Sequence, residues 1–334
     1  MQPSSFLAAL TRRAVLLGSA LGAASARAQP IGGAPATRTA RANAGVVGIV
    51  SGGVDGTYIR IAADLASVLD DGERLRVLPI LGKGSVQNLA DLIYLRGVDL
   101  GIVQSDTFAY VVQQNLFPGA AQAINYLAKL YDEEVHILAR RDIARLEDLA
   151  GKPVNVDVLG SGTAMTAGLI FDRLNIPVQF HNDVQDVALQ RLRSGEIAAI
   201  LYVAGKPARL FSNIGADTGL HFLPIPPTAE LLQTYLPSQL GHDIYPNLVP
   251  EGPPVETLAV GAVLAAFGWQ PGTERHRKVV RFYEAFTAKF DEFLHPPRHP
   301  KWREVNLAAQ VPGWKKFALE APPPAPAPRF RYYR

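Results

Sequence analysis

Two glycine-rich turns in this sequence have the composition of an anion-binding loop. The first, Gly52-Gly53-Val54-Asp55-Gly56, follows an apolar run and precedes a helical pattern that begins near Thr57. The second, Gly160-Ser161-Gly162-Thr163, has the same place between an apolar run and a helical pattern. A helix N-terminus carries unpaired backbone N–H groups and a partial positive charge, and glycine lets a ligand approach the backbone. Two such turns predict a cleft that binds a carboxylate or another anion.

Further polar residues gather where predicted strands end, which is the edge at which open α/β sheets bind ligands. Ser, Thr, Asp and Asn at these places are also ordinary helix N-caps, and the sequence leaves that alternative open for any single residue. We expect the clusters to converge on one binding cleft. The candidate ligand-binding residues are Ser51, Gly53, Gly56, Thr57, Tyr58, Gly84, Ser85, Asn88, Gln104, Ser161, Gly162, Thr163, Gly205 and Lys206.

Catalytic and cofactor motifs are missing from the sequence. No Gly-x-Ser-x-Gly nucleophile turn occurs. The segment Gly82-Lys83-Gly84-Ser85 lacks the earlier glycine of a phosphate loop, and Gly84 stands where Ser or Thr should follow the lysine. Met165 occupies the place of the third glycine of a dinucleotide-binding motif that would start at Gly160. We therefore predict no catalytic residue and no cofactor.

Metal sites are equally unsupported. The 334 residues contain no cysteine, which excludes disulfides, thiol catalysis and thiolate ligands. His295 and His299 are four residues apart, but the prolines between and after them prevent a helix that would present both rings to one metal ion. We interpret this segment as a surface turn. The acidic run Asp132-Glu133-Glu134 is interpreted as a solvated face rather than an acid pair.

Short apolar runs alternate with helical patterns along the chain, which predicts parallel strands with crossover helices. The pattern occurs twice, first up to about residue 104 and again from about residue 146. The predicted strands are 46–50, 76–81, 100–104, 154–158, 198–203 and 257–266, and the predicted helices are 57–69, 85–95, 163–174, 184–194, 273–293 and 301–319.

This repetition predicts an α/β fold with two lobes and two strand crossings, near 135–140 and near 256–260. Lobe I would comprise residues 45–137 and 260–320, with the C-terminal helices, and lobe II residues 138–259. The proline-rich end at 321–334 has the composition of a disordered, polyproline-like tail.

The first 28 residues have the layout of an export signal. Arg12 and Arg13 precede a thirteen-residue uncharged run, 14–26, which is too short to span a bilayer, and Ala26-Arg27-Ala28 offers a cleavage site near Ala28. The paired arginines resemble a twin-arginine leader, but the usual phenylalanine after them is missing, so the ordinary secretory route stays open. Residues 29–44 are predicted to be a flexible linker. The expected location is the periplasm.

The leader carries three arginines and no acidic residue, so its removal would take the formal net charge from +3 to zero, with thirty basic and thirty acidic residues. A protein without a basic surplus has no electrostatic support for binding nucleic acid. We therefore predict no nucleic-acid partner.

The series of motifs resembles the TAXI family of TRAP-transporter solute receptors. The resemblance runs from about residue 45 to about residue 270 and keeps the motifs in order. It is carried by 47–58, 84–88 and 98–106 in the first half and by 148–154, 160–163 and 202–208 in the second half.

The resemblance implies a two-lobed periplasmic binding protein of type II, with two hinge strands and a ligand in the cleft between the lobes. Such receptors deliver organic acids or amino acids, glutamate-like ligands among them, to the membrane subunits of a TRAP permease. Lys83 and Lys206 stand where the family more often has uncharged residues; they would favour an anion if they face the cleft. A receptor-like domain used for sensing, and a transferase on the same fold, are the alternatives.

Overall fold

The structure is a computed structural model that describes Ala40 and residues 43–320. The predicted export signal at 1–28, most of the predicted linker at 29–44 and the predicted tail at 321–334 lie outside the described residues. Among the described helices, none has both the length and the apolar composition that a membrane-spanning helix needs.

Strands and helices alternate through most of the chain. In chain order they are β1 (Val46–Val50), α1 (Thr57–Leu69), β2 (Arg76–Ile80), α2 (Ser85–Tyr94), β3 (Leu100–Gln104), α3 (Ser105–Gln113), α4 (Ala120–Ala123), β4 (Ile124–Ala139), β5 (Pro153–Asn155), α5 (Gly162–Arg173), β6 (Gln179–His181), α6 (Gln185–Ser194), β7 (Ala199–Ala204), α7 (Arg209–Ser212), β8 (His221–Phe222), β9 (Leu236–Leu240), β10 (Val255–Phe267) and α8 (Glu274–Ala288). Short 3₁₀ helices include Phe290–Leu294 and Pro300–Glu304.

Two long strands divide the sheet into two lobes. Lobe I has the strand order β2-β1-β3-β10-β4, with β10 antiparallel to β3, and lobe II has the order β4-β7-β5-β6. β10 pairs with β9 over Val255–Ala259 and with β3 over Ala262–Ala266. β4 pairs with β7 from Glu134 onward. Two α/β lobes joined by two shared strands, with one antiparallel strand inserted beside β3, form the type II periplasmic binding fold that was expected.

Helices cover both faces of the sheet in each lobe, so each lobe has two apolar cores. In lobe I, α1 contributes Ile61, Leu65 and Val68 to a core shared with β4, β10 and α8. These residues lie three or four positions apart, which places them on one face of the helix and explains why this segment is helical. In lobe II, α5 and α6 bury their apolar residues on different cores. The spacing of the apolar residues thus determines where the helices form and which face of each helix packs on the sheet.

The predicted strands and helices of the first half are confirmed, with ends that differ by at most one residue. The crossing of β4 lies slightly earlier than the expected 135–140, because Glu134–Ala139 already pair with β7. The helix expected at 301–319 is wrong: only Pro300–Glu304 is helical, and turns that bury Trp314 and Phe317 follow it. The segment of His295 and His299 is a turn, but His299 is buried, and its Nδ1 accepts a hydrogen bond from the Lys301 N–H.

A buried ion cluster connects the lobes next to the hinge. Glu134, on β4, lies 2.8 Å from the Lys301 ammonium and 3.4 Å from the Lys206 ammonium, and it also accepts a hydrogen bond from the Lys206 N–H. The side chains of Glu134 and Lys301 are 3% and 1% exposed. Lys206 follows β7 in lobe II, whereas Lys301 lies in the C-terminal segment that packs on lobe I. The interpretation of the acidic run as a solvated face is therefore wrong.

We expect Lys301→Met to lower the free energy of unfolding by about 3–5 kcal/mol, because it leaves the Glu134 carboxylate buried without its nearest cation. Urea denaturation measures this change. Lys315→Met, at an exposed lysine of the same C-terminal segment, should change the stability by less than about 0.5 kcal/mol. A loss as small as that of the control would contradict the stabilising role of the Lys301 ammonium.

Candidate functional site

A cavity lies between the lobes, at the carboxyl ends of β1, β3 and β7. The space that the centre of a water molecule can occupy in it is about 50 Å³, and the cavity is partly open to solvent. Both glycine-rich turns contribute to its wall. The lining residues are Gly52, Gly53, Gly56, Thr57, Tyr58, Lys83, Gly84, Ser85, Gln104, Glu133, Asp157, Ser161, Gly162, Thr163, Tyr202 and Val203.

Four helix N-termini meet at this cavity. The residues that precede α1, α2, α3 and α5 are Gly56, Gly84, Gln104 and Ser161, and all four line the cavity. Within the described part of the chain, the caps of α1, α2 and α3 make no side-chain capping hydrogen bond, whereas Ser161 Oγ caps α5 through the Ala164 N–H. Unpaired N–H groups and aligned helix dipoles favour a negative charge in the space between them.

The two lobes contact each other directly around the cavity. The Gln87 N–H of lobe I donates to the Gly160 carbonyl of lobe II at 3.0 Å. The Gly205 N–H donates to Thr57 Oγ1 at 3.2 Å, and Thr166 Oγ1 donates to Gln104 Oε1 at 3.4 Å. The structure is therefore a closed arrangement of the cleft.

Gly162 makes the closest approach between the lobes. A Cβ atom at this position would lie 2.5 Å from Ser85 Oγ and would overlap Gln104 Oε1. Both of those atoms belong to lobe I, whereas Gly162 starts α5 in lobe II. Glycine is thus favoured here by the contact across the cleft and not by the local helix, because a Cβ would force the Gln104 and Ser85 side chains to move. Gly84, on the other side of the cleft, has a φ of +106°, which favours glycine for a local reason.

A buried glutamate lies at the inner wall of the cavity. Glu133 Oε2 accepts a hydrogen bond of 2.6 Å from the hydroxyl of Tyr58, which in turn lies 3.4 Å from Ser85 Oγ. Burial raises the pKa of Glu133 to about 8; the hydrogen bond from Tyr58 lowers the pKa, and the neighbouring Glu134 carboxylate raises it. The carboxyl group is therefore readily protonated near neutral pH.

Two aspartates add to the acidic character of this region. Asp157 lines the cavity, and burial raises its pKa to about 6. Asp106 lies behind Gln104, and its carboxylate shares the Thr166 hydroxyl with Gln104 at a distance of 3.3 Å; burial raises the pKa of Asp106 to about 6 as well. The lining side chains with a formal positive charge are limited, in the described structure, to the exposed Lys83.

Most of the residues predicted for the site line one cavity. Ten of the fourteen do so, and they come from both lobes: Gly53, Gly56, Thr57, Tyr58, Gly84, Ser85, Gln104, Ser161, Gly162 and Thr163. Whether they bind a ligand stays a prediction. Thr163 also has a structural role, because its hydroxyl accepts a hydrogen bond from the Val203 N–H.

The other four predicted residues lie behind the wall of the cavity. The Ser51 hydroxyl donates to the Ile80 carbonyl, and the Asn88 amide donates to the carbonyls of Ser51 and Ile102, so both side chains hold strand ends together. Gly205 contacts Thr57 across the lobes. The Lys206 ammonium is directed to Glu134 and to the Gln239 carbonyl at 2.8 Å. We therefore leave these four out of the proposed set of ligand contacts.

The sequence reasoning missed Glu133, Asp157 and Tyr202. A signal for Glu133 was present, because apolar runs flank the acidic residues on both sides without a turn residue. A single strand through both runs buries these acids, as β4 does. No comparable signal marks Asp157 or Tyr202, whose positions depend on how lobe II meets lobe I.

The chemistry available in the cavity is hydrogen bonding and electrostatics. Its lining includes hydroxyls, one amide and the backbone of the glycine turns, and no histidine belongs to it. Among the described residues, no group of three His, Cys, Asp or Glu side chains could hold a metal ion. Such a lining can orient and desolvate a small polar solute.

The raised pKa of Glu133 predicts a pH-dependent stability. Between the ordinary pKa of 4.5 and about 8 the folded protein holds a proton that the unfolded chain has lost, so the free energy of unfolding decreases as pH rises through this window. The decrease is at most about 1.4 kcal/mol per pH unit for one proton. Glu133→Gln removes the titrating carboxyl group and with it this loss of stability. Urea denaturation should therefore show the variant gaining stability relative to the original protein from about pH 5 to about pH 8.

Glu251→Gln, at a carboxylate that is 90% exposed, is the control and should follow the original protein at every pH. Parallel stability curves for Glu133→Gln and the original protein would contradict the protonation of Glu133 in the folded state.

Solved structures similar to the chain include one described as a periplasmic transporter, at 12% identity over 74% of this chain and 83% of that chain, with a TM-score of 0.49. Another is the alkanesulfonate-binding protein SsuA from Xanthomonas axonopodis pv. citri bound to MOPS, at 14% identity over 74% and 75% of the two chains, with a TM-score of 0.45. A third is an ancestral arginine-binding protein bound to arginine, at 14% identity over 75% and 95%, with a TM-score of 0.43.

A sequence model of the NMT1-like family matches residues 49–271, about two thirds of the chain. The match includes both glycine-rich turns, the whole of β4 and β10, and every residue that lines the cavity. The chain therefore belongs to the NMT1-like family, which is of the periplasmic substrate-binding type.

Proposed function

We propose that the protein is an extracytoplasmic solute receptor that binds a small anionic organic solute between its lobes. One observation carries this proposal: four helix N-termini, three of them without a side-chain cap among the described residues, converge on one cavity between the lobes. Such a convergence stabilises a carboxylate without requiring a buried lysine or arginine. The solute class is an amino acid or another organic acid of similar size.

Solute binding and lobe closure are coupled in this proposal. The solute contacts the turns at Gly56 and Gly84 on lobe I and the turn at Ser161 on lobe II, so it is fully surrounded only when the lobes meet. A solute that makes contacts on both sides binds the closed arrangement more tightly than the open one, and this difference in affinity shifts the equilibrium toward closure. The closed receptor then presents one continuous surface to a membrane transporter.

The proposed transporter is of the TRAP type, and the proposed location is the periplasm. The support is the resemblance of the motifs to the TAXI receptors and the export-signal layout of residues 1–28, with cleavage near Ala28. A sensing domain and a transferase are the alternatives. Mass spectrometry of each bound solute after prolonged incubation would reveal a transferase, because an enzyme changes the mass of its substrate.

Thermal unfolding of the chain from Gln29 onward tests the receptor function. The protein is first unfolded and refolded to release any bound solute, and it is then mixed with amino acids, dicarboxylates and neutral solutes. A solute that binds only the folded state stabilises it by about 2.7 kcal/mol at a hundredfold excess over Kd. We expect a clear rise in the unfolding temperature with one class of carboxylate. Stabilisation by neutral solutes alone would contradict an anionic ligand.

Gly162→Ala tests closure without changing a polar group of the site. Alanine is compatible with the first turn of α5, but its Cβ clashes with Ser85 and Gln104 of lobe I. We expect at least a tenfold loss of affinity for the solute that gives the largest thermal shift, measured by calorimetry. The decrease in radius of gyration on binding, measured by X-ray scattering, should also be lost.

Gly168→Ala is the matched control on the same helix. A Cβ at Gly168 meets no described atom within 4 Å, and alanine favours a helix by about 1 kcal/mol over glycine. This variant should bind as the original protein does and unfold at the same or a higher temperature. Equal affinities for the two variants would show that the solute does not require the closed cleft.

A further inference from the structure

Two neighbouring glutamates of β4 are buried to the same degree but have different surroundings. Glu133 and Glu134 are each 2% exposed. Glu134 has two ammonium groups within 4.0 Å, those of Lys301 and Lys206. Glu133 has no ion-pair partner among the described residues. Near neutral pH a proton neutralises Glu133, and its ionised form is costly because no cation of the fold pairs with it.

The position of Glu133 shows where a partner would come from. Its side chain lines the cavity between the lobes, and one of its oxygens accepts the hydrogen bond from the Tyr58 hydroxyl at 2.6 Å. Tyr58 is itself buried and lies at the start of α1, so it fixes the carboxyl group at the wall rather than leaving it mobile. A cation that enters the cavity can therefore take the place of the proton on Glu133.

The cavity thus has two regions of opposite character. The N-termini of α1, α2, α3 and α5 favour a negative group, and Glu133 favours a positive one. A solute with a carboxylate and a protonated nitrogen complements both regions. A plain mono- or dicarboxylate complements only the first region, and a carboxylate beside Glu133 opposes the ionisation of Glu133 instead of supporting it.

We propose that Glu133 is the residue that selects solutes with a protonated nitrogen beside the carboxylate, so that the receptor prefers an amino acid over the corresponding deaminated acid. The proposal rests on the proposed receptor function and assigns the solute class within it. Glu133 acts as the contact to the ammonium group, and Tyr58 is the positioning residue that holds the carboxylate toward the cavity.

Binding of an ammonium group also predicts proton release. The groups that face Glu133 are Tyr58 from α1, Asp106 from α3, Tyr131 and Glu134 from β4, Tyr202 from β7 and Lys301 from the C-terminal segment. Burial among them raises the pKa of Glu133 to about 8. An incoming ammonium stabilises the ionised carboxylate, so up to one proton leaves for each solute bound near neutral pH.

Calorimetry with matched solute pairs tests the proposal on the refolded chain from Gln29 onward. The pairs are L-glutamate with glutarate and L-leucine with 4-methylpentanoate, which differ only in the amino group. We expect the amino member of the binding pair to bind at least tenfold more tightly. Glu133→Gln should reduce this ratio to near one, mainly by weakening the amino member. Titrations in two buffers of different protonation enthalpy should show proton release for the original protein.

Other results would overturn the proposal. If the deaminated member binds as tightly as the amino acid, the receptor function stands and the role of Glu133 falls. If Asp157→Asn, rather than Glu133→Gln, removes the preference, the second cavity carboxylate is the selecting group. If no member of either pair binds and no carboxylate of the thermal-unfolding panel stabilises the protein, the carboxylate receptor proposal fails as well. Glu251→Gln, at an exposed carboxylate, should leave both the ratio and the proton release unchanged.

Proton release is measured on the original protein, so this part of the test does not depend on the variant's folding. Binding of the amino member without proton release near neutral pH would contradict a contact between Glu133 and the ammonium group.

Discussion

The antiparallel pairing of β4 with β10 is the constraint on which both lobes depend. These strands have sixteen and thirteen residues, nearly all buried, and each lobe builds its own sheet outward from them. Neither lobe is complete without them, because β3 pairs with β10 and β7 pairs with β4. The pairing is irregular between Gly261 and Val263 and between Leu264 and Ala265. The first irregularity lies between the part of β10 that pairs with β9 and the part that pairs with β3, which is where the strand passes from one lobe to the other.

The same pairing determines where charge is buried. A strand that passes from one lobe to the other has no exposed end at the hinge, so the acidic residues in its middle must be neutralised within the fold. Lysines from both lobes neutralise Glu134. Glu133 instead accepts a hydrogen bond from a tyrosine hydroxyl and borders the cavity. The cleft thus combines helix N-termini, which attract anions without a formal charge, with a carboxyl group whose ionisation depends on what occupies the space.

Local patterns predicted the first lobe well because its signals lie close together in the chain. The apolar run before Gly52 and the spacing of Ile61, Leu65 and Val68 determine β1 and α1 without reference to distant residues. The glycine turns indicated the cavity for the same reason. The polar residues at strand ends were harder to assign: Ser51 and Asn88 bond to strand carbonyls, whereas Ser85 lines the cavity, and their types do not distinguish these roles.

Residues whose environment comes from distant segments could not be predicted in this way. The direction of the Lys206 side chain depends on β9, a strand that contains Pro237 and has no clear alternation. The burial of Glu134 depends on Lys301, far away in the chain. The end of the chain was expected to be helical from its spacing, but Pro312 and Gly313 interrupt the pattern, and the tryptophan and phenylalanine packing determines its path.

The bond between Gln87 and Gly160 joins the lobes through main-chain atoms only. It uses no side-chain atom, although Gly160 has a φ of +90°, which favours glycine at that position. In evolutionary terms, many of the side chains that line the cavity can change without loss of this one contact, so part of the meeting between the lobes is independent of the chemistry of the cavity.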